Sequence, residues 1–250
     1  MKALVVVGLG RSGYVETLAL QRAAARARLD RTLADDLLLL VEHPPVVTLG
    51  RGFEARHLLT PVETLRHRGI EVFSAERGGD VTFHGPGQIV GYPIFDLTGH
   101  TPDLHLFLRQ LEETLIRALD TLGVAAGRRP GLTGVWTPGD RKIASIGIHV
   151  RKWVTWHGFA LNVTTDLSFF DLMVPCGIDQ VVMTSVQREL GSRAPRDLWG
   201  QALDAVLLGC TEVFDLQPQA MAEEDLRRLL GHHLEEATED LDARPELIEP

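Results

Sequence analysis

The fold is decided between residues 76 and 97, where the sequence reads ERGGDVTFHGPGQIVGYPIFDL. This stretch holds two short strand patterns, at residues 81–83 and 88–96, which are separated by glycine and proline. Further strand patterns precede it, and no long helical pattern follows until residues 104–122. A parallel sheet needs a crossover helix between successive strands. This order of elements therefore predicts an α+β fold, with a mixed β-sheet flanked by helices.

The start of the chain offers a competing interpretation. VVVGLGRSGY, at residues 5–14, contains Gly8, Gly10 and Gly13 in the spacing of a dinucleotide-binding loop, and a helical pattern follows at residues 15–29. A single match to that motif is weak evidence. Because the later strands do not alternate with helices, we interpret these glycines as turn residues ahead of a helix.

The same patterns place the remaining elements. Strands are predicted at residues 37–42, 46–49, 72–74, 132–136, 142–150, 153–156 and 159–163. Helices are predicted at residues 61–67, 198–214 and 223–236. We expect residues 1–216 to form a single catalytic domain and residues 217–250 to form an acidic C-terminal helix and tail.

The composition excludes several classes of protein. The chain has 250 residues, of which 44% are hydrophobic and 24% are charged, as in ordinary soluble globular proteins. The net charge of -9 argues against a nucleic-acid binder, and no apolar run is long enough to span a bilayer. Two cysteines in a chain of this size favour a reducing compartment. We therefore expect a cytoplasmic protein that binds neither nucleic acid nor membranes.

Lysine is rare in this sequence, which has 22 arginines but only three lysines, Lys2, Lys142 and Lys152. An amine can release and regain a proton, whereas a guanidinium stays charged. A lysine kept in an arginine-rich chain therefore indicates proton transfer. Lys2 stands beside the start of the chain and is a poor candidate. Lys152 follows Arg151 at a turn and is interpreted as a surface charge, which leaves Lys142.

Lys142 begins the strand pattern at residues 142–150. Strict alternation puts it on one face with Ala144, Ile146, Ile148 and Val150, and puts Ile143, Ser145, Gly147 and His149 on the other. An amine at the head of an apolar row is partly removed from water, which disfavours its charged form. The small residues on the opposite face leave room for a ligand to lie against the strand.

The two cysteines have different surroundings. Cys176 lies between Pro175 and Gly177, in a turn, and loops carry reactive groups. Backbone N–H groups around Gly177 are candidate donors to an oxyanion. Cys210 lies inside the helical pattern at residues 198–214 and is interpreted as a small buried hydrophobic residue. The sequence has no zinc-ligand spacing and no phosphate-binding P-loop, so we expect no metal and no cofactor.

Residues 76–97 also carry features of a ligand-binding loop. Glycines surround Arg77, Thr82 and His84, and glycine lets the backbone approach a ligand closely. Exposed N–H groups beside a cation suit a group with a carbonyl or a phosphate-like charge. The alternative is a pair of tight hairpins, because clusters of glycine and proline usually mark turns.

Three stretches together resemble one family. They are RGGDVTFHGPGQIVGYPI (77–94), KIASIGIHV (142–150) with WVTWHGFALNV (153–163), and PCGI (175–178) with VVMTS (181–185). They closely resemble the lipoyl(octanoyl) transferases of lipoate biosynthesis, and the likeness extends over nearly the whole chain. The resemblance implies the mixed-sheet fold that biotin protein ligases and lipoate protein ligases share. It also implies that the glycine-rich start of the chain binds no nucleotide.

The resemblance further implies the reaction and its partners. An octanoyl or lipoyl group passes from octanoyl-acyl carrier protein to a specific lysine on the lipoyl domains of 2-oxoacid dehydrogenases and on the glycine cleavage H protein. The family's nucleophile and its lysine match Cys176 and Lys142. His149 stands where relatives often carry arginine. The family's acyl-binding segments match Arg77, Gly78, Gly79, Asp80, Val81, Thr82, Phe83, His84, Ser145, Ile146, Gly147, Gly158, Phe159 and Ala160.

Three alternatives share parts of this pattern. A lipoate or biotin protein ligase would keep a lysine on the same strand, but would activate its acid with ATP and need no nucleophilic cysteine. An amidotransferase that moves octanoyl between two lipoyl domains would keep both Cys176 and Lys142. A carrier-binding module without activity would form no acyl-enzyme and would leave the cysteine and the lysine unexplained.

Overall fold

The computed structural model describes residues 2–243. Its strands are β1 (Lys2–Arg11), β2 (Asp36–Glu42), β3 (Val46–Leu49), β4 (Glu71–Ser74), β5 (Val81–His84), β6 (Gln88–Ile94), β7 (Gly127–Arg129), β8 (Leu132–Thr137), β9 (Arg141–Arg151), β10 (Val154–Asn162), β11 (Val182–Met183) and β12 (Leu216–Ala220). Its helices are α1 (Tyr14–Leu29), α2 (Val62–His67), α3 (Leu104–Thr121), α4 (Val186–Leu190), α5 (Leu198–Phe214), α6 (Glu223–Leu230) and α7 (His232–Ala243).

The strands form two sheets. The larger sheet has the order β12-β1-β2-β6-β10-β9-β8-β7, and β11 pairs with β9 beside this row. The pairs that β1 makes with β2 and β12 are parallel, as is the pair of β11 with β9, whereas the others are antiparallel. The smaller sheet has the order β4-β3-β5. The predicted mixed sheet is confirmed.

Helices cover both faces of the larger sheet. On one face α3 and α5 pack in a core that includes Leu111, Val206 and Phe159. On the other face α1, α6 and α7 pack in a core that includes Leu20 and Leu39. The smaller sheet has an apolar cluster of its own, against residues 167–173. The site described below lies where the two sheets meet.

The long helix α3 shows why the sequence patterns succeed locally. Its apolar residues recur every three or four positions, and Leu111, Leu115 and Leu119 are fully buried. The carboxylate of Asp103 accepts hydrogen bonds from the backbone N–H groups of His105 and Leu106, which fixes the N-terminus. The predicted span of residues 104–122 differs from the observed one by a single residue.

Several elements differ from the predictions. The strands predicted at residues 153–156 and 159–163 are one strand, β10, which continues through Gly158. The short elements β7, β11, β12 and α4 were not predicted, because two to five residues carry too little periodicity. The single helix predicted at residues 223–236 is two helices, α6 and α7, which are broken at Gly231 and extend to Ala243.

Residues beyond the predicted boundary at 216 continue the fold. Strand β12 pairs with β1 at the edge of the larger sheet. Leu226, Leu230 and Ala237 are buried against α1 and its sheet. The division of the chain at residue 216 stays a prediction, and the acidic tail at residues 244–250 lies outside the described residues. Within residues 2–243, no helix has the length and apolar character that a membrane crossing requires.

Candidate functional site

A β-bulge in β9 directs Lys142 into the site. Val135 of β8 lies opposite Ala144, but Trp136 lies opposite Lys142, so Ile143 is an extra residue in β9. The alternation predicted for this strand is therefore wrong at its first step. Ile143 and Ala144 both enter the core on the α3 side, whereas Lys142 shares its face with Ser145, three positions away.

Cys176 occupies a strained turn between Pro175 and Gly177. Its backbone has φ 58° and ψ 18°, a left-handed conformation that is uncommon for residues other than glycine. Gly177 donates its N–H to the carbonyl of Val174 at 3.0 Å, and Ile178 donates to Pro175 at 3.2 Å. These two N–H groups are bonded within the turn, and the use of backbone N–H groups around Gly177 as oxyanion donors stays a prediction.

Cys176 and Lys142 form a hydrogen-bonded pair. The Lys142 Nζ lies 3.0 Å from the Cys176 Sγ, and the Ser145 Oγ lies 3.6 Å from the same sulfur. Lys142 is 1% exposed, and its Nζ stands 5.4 Å from the centre of the Trp136 ring, within cation–π range. Two sequence-predicted residues thus meet across 34 positions of chain.

The electrostatics of this pair favour a thiolate. Burial raises the pKa of the Cys176 thiol, but the charge and the hydrogen bond of Lys142 lower it. The Ser145 hydroxyl and the Arg77 charge lower it further, and the net pKa lies below the ordinary thiol value. A cysteine beside a cation has the environment expected of a nucleophile.

A buried His57–Asp80 pair supports the Cys176 turn from behind. The His57 Nδ1 lies 2.5 Å from the Asp80 Oδ2, and the His57 carbonyl accepts the N–H of Val174 at 2.7 Å. A Cβ atom placed on Gly177 would stand 2.6 Å from the Asp80 Oδ2. Asp80 was among the predicted residues, whereas His57 was missed because it stands in no recognisable pattern.

Arg77 supplies a second buried positive charge. It is 8% exposed and donates hydrogen bonds to the side chain and carbonyl of Thr48 and to the carbonyl of Gly78. These partners hold the guanidinium in place beside the cavity. Because they are neutral, they do not cancel its charge. The charge acts instead on neighbouring groups, including Cys176.

The predicted residues converge on one cavity of about 180 Å³. Every sequence-predicted site residue lines it except Val81 and Phe83. Those two point to the opposite face of β5, as alternation requires, and enter the core of the smaller sheet. There the Phe83 ring stacks on Phe169 with centroids 4.4 Å apart. The residues that sequence reasoning missed are Tyr14, Val90, Tyr92, Gly131, Leu132, Thr133, His157 and Ile178.

Strand register gives the cavity its depth. Ser145, which contacts the sulfur, lies opposite Ala160, and Ile148 lies opposite His157. Three residues of β-strand span about 10 Å, so His157 marks the end of the cavity away from Cys176. Between these two residue pairs, Gly147 lets the Gly78 segment approach β9 closely, because a Cβ there would stand 2.7 Å from the Gly78 carbonyl oxygen.

The remote wall of the cavity is polar but uncharged at neutral pH. The Tyr92 hydroxyl bonds to the His43 Nε2 at 2.8 Å, and the His84 Nδ1 bonds to the Gln88 Oε1 at 2.7 Å. Burial lowers the pKa of His43 to about 4 and that of His84 to about 3. Burial also holds the pKa of His157 well below its ordinary value. Lys142 and Arg77 therefore supply the positive charge near the sulfur.

Metal donors gather elsewhere in the described part of the chain. Asp30, His232 and His233 bring three potential ligand atoms together, and none of these residues lines the cavity beside Cys176. Apart from Arg77, Asp80 and Lys142, the cavity presents glycine backbone, apolar side chains and neutral polar groups, which suit an acyl chain.

The family model of the lipoyl protein ligase A/B catalytic domain matches residues 13–207. This chain belongs to that family. A relative from Solibacter usitatus named octanoyltransferase is 50% identical over 193 residues, which cover 77% of this chain and 86% of the relative. Another octanoyltransferase, from Desulforamulus reducens, is 39% identical over 229 residues, which cover 91% of this chain and 98% of the relative. The family resemblance expected from the sequence motifs is confirmed.

Solved structures share the fold at low sequence identity. A bipartite lipoate protein ligase from Thermoplasma acidophilum matches with a TM-score of 0.73 and 18% identity, over 98% of this chain and 93% of that one. A P. falciparum protein in complex with lipoate matches with a TM-score of 0.74 and 12% identity, over 99% of this chain and 75% of that one. At these identities the likeness establishes the fold, and the predicted ligase-like architecture is confirmed.

Proposed function

We propose that this protein is an octanoyltransferase that carries the octanoyl group as a thioester on Cys176. The donor is octanoyl-acyl carrier protein, and the acceptor is the specific lysine of a lipoyl domain. One observation carries the proposal: the 3.0 Å contact between the Lys142 Nζ and the Cys176 Sγ beside a cavity suited to an acyl chain. Relatives named octanoyltransferase support the choice of acyl group.

The first half-reaction loads the enzyme. The thiolate of Cys176, paired with the Lys142 ammonium, attacks the carbonyl carbon of the donor thioester. A new C–S bond forms to Cys176 as the bond to the carrier's sulfur breaks. The Lys142 ammonium gives its proton to the leaving thiolate and becomes neutral. The acyl chain then lies in the cavity between β9, β10 and the Gly78 segment.

The second half-reaction delivers the acyl group. The acceptor lysine arrives as a neutral amine, and its nitrogen attacks the carbonyl carbon of the Cys176 thioester. The C–N bond forms and the C–S bond breaks, which returns a thiolate to Cys176. The neutral Lys142 takes the proton that the amine nitrogen loses, so the ion pair of the resting enzyme is restored. Arginine would hold its proton and could not accept the proton of the amine in this second step.

The partners and the compartment belong to the same proposal. The acceptors are the lipoyl domains of 2-oxoacid dehydrogenases and the glycine cleavage H protein. We place the reaction in the cytoplasm, because a catalytic thiol needs a reducing compartment and both cysteines are free. No nucleotide enters the reaction, because the donor thioester already supplies the activated acyl group.

Intact mass spectrometry tests the proposal most directly. The protein is mixed with octanoyl-carrier protein in the absence of ATP, and we expect one octanoyl adduct that peptide mapping locates on Cys176. The Cys210→Ala variant is the matched control and should load normally. Loading that depends on ATP would favour a ligase. Loading from octanoylated lipoyl domain but not from carrier protein would favour an amidotransferase between lipoyl domains.

A further inference from the structure

We propose that Cys176 and Lys142 form an oxidative modification site, at which a hydroperoxide closes a covalent sulfur–nitrogen bond between the two side chains. The Lys142 Nζ lies 3.0 Å from the Cys176 Sγ, so the atoms to be joined are already in contact. A pair joined in this way can neither attack a thioester nor carry a proton. The modification therefore stops the proposed transfer reaction, but it needs no acyl donor to form.

Cys176 has the surroundings of an oxidisable thiol, whereas Cys210 does not. Cys176 is half-buried and lines the open cavity, with its sulfur facing the Lys142 amine and the Ser145 hydroxyl. Peroxides oxidise those thiolates that solvent can reach. Cys210 is 1% exposed within α5, and burial raises the pKa of its thiol to about 12. Oxidation is therefore directed to Cys176.

The first step oxidises the sulfur. The Cys176 thiolate attacks one oxygen of hydrogen peroxide, so that an S–O bond forms as the O–O bond breaks. The Lys142 ammonium gives its proton to the departing oxygen, which leaves as water. A sulfenic acid now stands on Cys176 beside a neutral amine.

The second step closes the bond. The neutral Lys142 Nζ attacks the sulfur, the S–N bond forms and the S–O bond breaks. The departing hydroxide takes the proton that the nitrogen loses and becomes water. Over both steps the sulfur is oxidised and one peroxide is reduced to two waters. The protein loses two hydrogen atoms and gains no oxygen.

The geometry selects Lys142 as the partner of the sulfenic acid. Such acids ordinarily condense with a second thiol or with a backbone nitrogen. Cys210 packs inside the core beneath α3 and α5, and the next backbone N–H, of Gly177, is bonded to the Val174 carbonyl at 3.0 Å. The Lys142 nitrogen already contacts the sulfur, and its flexible four-carbon stem allows it to close the remaining gap.

Intact mass spectrometry after treatment with hydrogen peroxide tests the site. The full chain carries Cys210→Ala, because a disulfide between the two cysteines would lose the same two hydrogen atoms. We expect a protein lighter by two hydrogen atoms, in which the peptides that contain Lys142 and Cys176 are joined. Dithiothreitol should restore the original mass. Lys152→Arg, at an exposed lysine, is the matched control and should give the same product.

Lys142→Arg removes the attacking amine and keeps a cation beside the sulfur. Its guanidinium holds its proton and does not attack the sulfenic acid. We expect this variant to gain one oxygen atom, to be captured by dimedone, and to proceed to a sulfinic acid that dithiothreitol does not reverse.

Each outcome decides the matter. Joined peptides in the parent that are absent from Lys142→Arg support the bond. A parent that gains oxygen and is captured by dimedone, as Lys142→Arg is, overturns it. So does a loss of two hydrogen atoms that maps to the Gly177 nitrogen, and so does a Cys176 that peroxide leaves unchanged. The joined peptides are measured in the parent, so the result does not depend on how Lys142→Arg folds. Because no acyl donor is present, failure here is distinct from failure of the octanoyl-transfer proposal.

Discussion

The loop that carries Cys176 and the helix that carries Cys210 place the same side chain in opposite environments. Cys176 is half-buried in a left-handed turn, 3.0 Å from an amine. Cys210 is 1% exposed within α5, where burial raises the pKa of its thiol to about 12. Desolvation opposes the thiolate at both positions, and the neighbouring cations reverse its effect at Cys176 alone.

The comparison shows that the surroundings of a cysteine, and not the residue type alone, determine whether its thiol is reactive. Helix α5 offers Cys210 apolar neighbours, and its backbone groups are bonded within the helix. The Cys176 turn is held from behind by His57 and Asp80 and faced from the front by Lys142 and Ser145. A thiol becomes a nucleophile where the fold supplies a fixed cation and a fixed turn together.

Replacing each cysteine separately should give the largest difference in turnover between two variants. Cys176→Ala removes the attacking atom, and we expect turnover with octanoyl-carrier protein and a lipoyl domain to fall about 10⁴-fold or more. Cys210→Ala should leave turnover unchanged and lower the free energy of unfolding by about 1 kcal/mol, because a small buried group is lost. Normal turnover in Cys176→Ala would rule out a mechanism with a covalent Cys176 intermediate.

Lys142→Arg separates charge from proton transfer. The guanidinium keeps a cation beside Cys176 but cannot accept the proton of the incoming amine. We expect the variant to form the acyl-enzyme and then to lose about 10²–10⁴-fold in delivery to the lipoyl domain, the usual contribution of a positioned base. Single-turnover kinetics on isolated acyl-enzyme measure this step.

Lys152→Arg is the matched control for that experiment, because Lys152 is exposed in the turn between β9 and β10. It should behave as the parent in both half-reactions. If the Lys142→Arg acyl-enzyme discharges at the parental rate, Lys142 has no role as a base and acts on the thiolate through its charge alone.

Gly177→Ala tests the support behind the turn. The added Cβ would stand 2.6 Å from the Asp80 Oδ2 at a residue with φ +65°, so the turn must move. A displacement of about 1 Å costs about 10²-fold in rate, and we expect kcat to fall by that amount. Gly123→Ala carries a similar backbone penalty, at φ +74°, with nothing within 4 Å of the new atom.

Gly123→Ala should therefore lower stability by about 1 kcal/mol and leave kcat intact. Equal kcat values in the two alanine variants would mean that contact with Asp80 does not position Cys176. Comparison of the two variants thus isolates the geometry of the turn from the general cost of placing alanine at a left-handed position.

The pH dependence of alkylation compares the two thiols directly. The pKa of Cys176 is lowered, so its reaction with iodoacetamide should persist below the ordinary thiol pKa and fall as the pH drops through the lowered value. Cys210, with a pKa raised to about 12, should not react in the folded protein. Lys142→Ala should raise the Cys176 pKa, and alkylation at pH 7 should slow about tenfold for each pH unit by which that pKa rises. An unchanged profile would contradict the role of Lys142 in forming the thiolate.

Local patterns in the sequence were sufficient for the long elements and for the chemistry of the pair. The three-to-four spacing in α3 and the Pro-Cys-Gly signal for a turn at Cys176 can both be read from neighbouring residues. The scarcity of lysine identified Lys142 without any knowledge of its contacts. The glycine-rich loop indicated Arg77, and motif resemblance added the segments around Gly147 and Gly158; all of these line the cavity.

Features that depend on distant partners could not be found in this way. The bulge at Ile143 exists because β9 must pair with β8, and it redirects Lys142 to the Ser145 face. A contiguous motif also includes both faces of its strand, which is why Phe83 was predicted with the site although it packs in the smaller core. His57 reaches the Cys176 turn across more than 100 positions of chain and carries no local signal.

The association rate of the carrier protein should show the smallest effect, through its dependence on salt. Measuring that dependence in variants compares the basic surfaces of the protein. Acyl carrier proteins are acidic, and this chain has a net charge of -9, so docking needs a local basic patch. The sequence offers three candidate patches: Arg51 with Arg56, the run Arg66, His67 and Arg68, and Arg128 with Arg129. In the third, Arg128 and Arg129 are ion-paired with Glu112, Glu113 and Asp140, which weakens it as a docking patch.

Arg51 and Arg56 are the better candidates for the carrier surface. Both are exposed. Arg56 forms an exposed ion pair with Glu54 at 2.9 Å, and its position favours it, because it directly precedes His57, the residue that supports the Cys176 turn. We expect kon for octanoyl-carrier protein to fall about tenfold from low to high ionic strength, and Arg56→Glu to remove most of that dependence. Arg68→Glu, at an exposed position after α2, tests the candidate run of Arg66, His67 and Arg68 in the same way. An association rate that stays flat across ionic strength would show that the acidic carrier finds the Cys176 loop without electrostatic guidance.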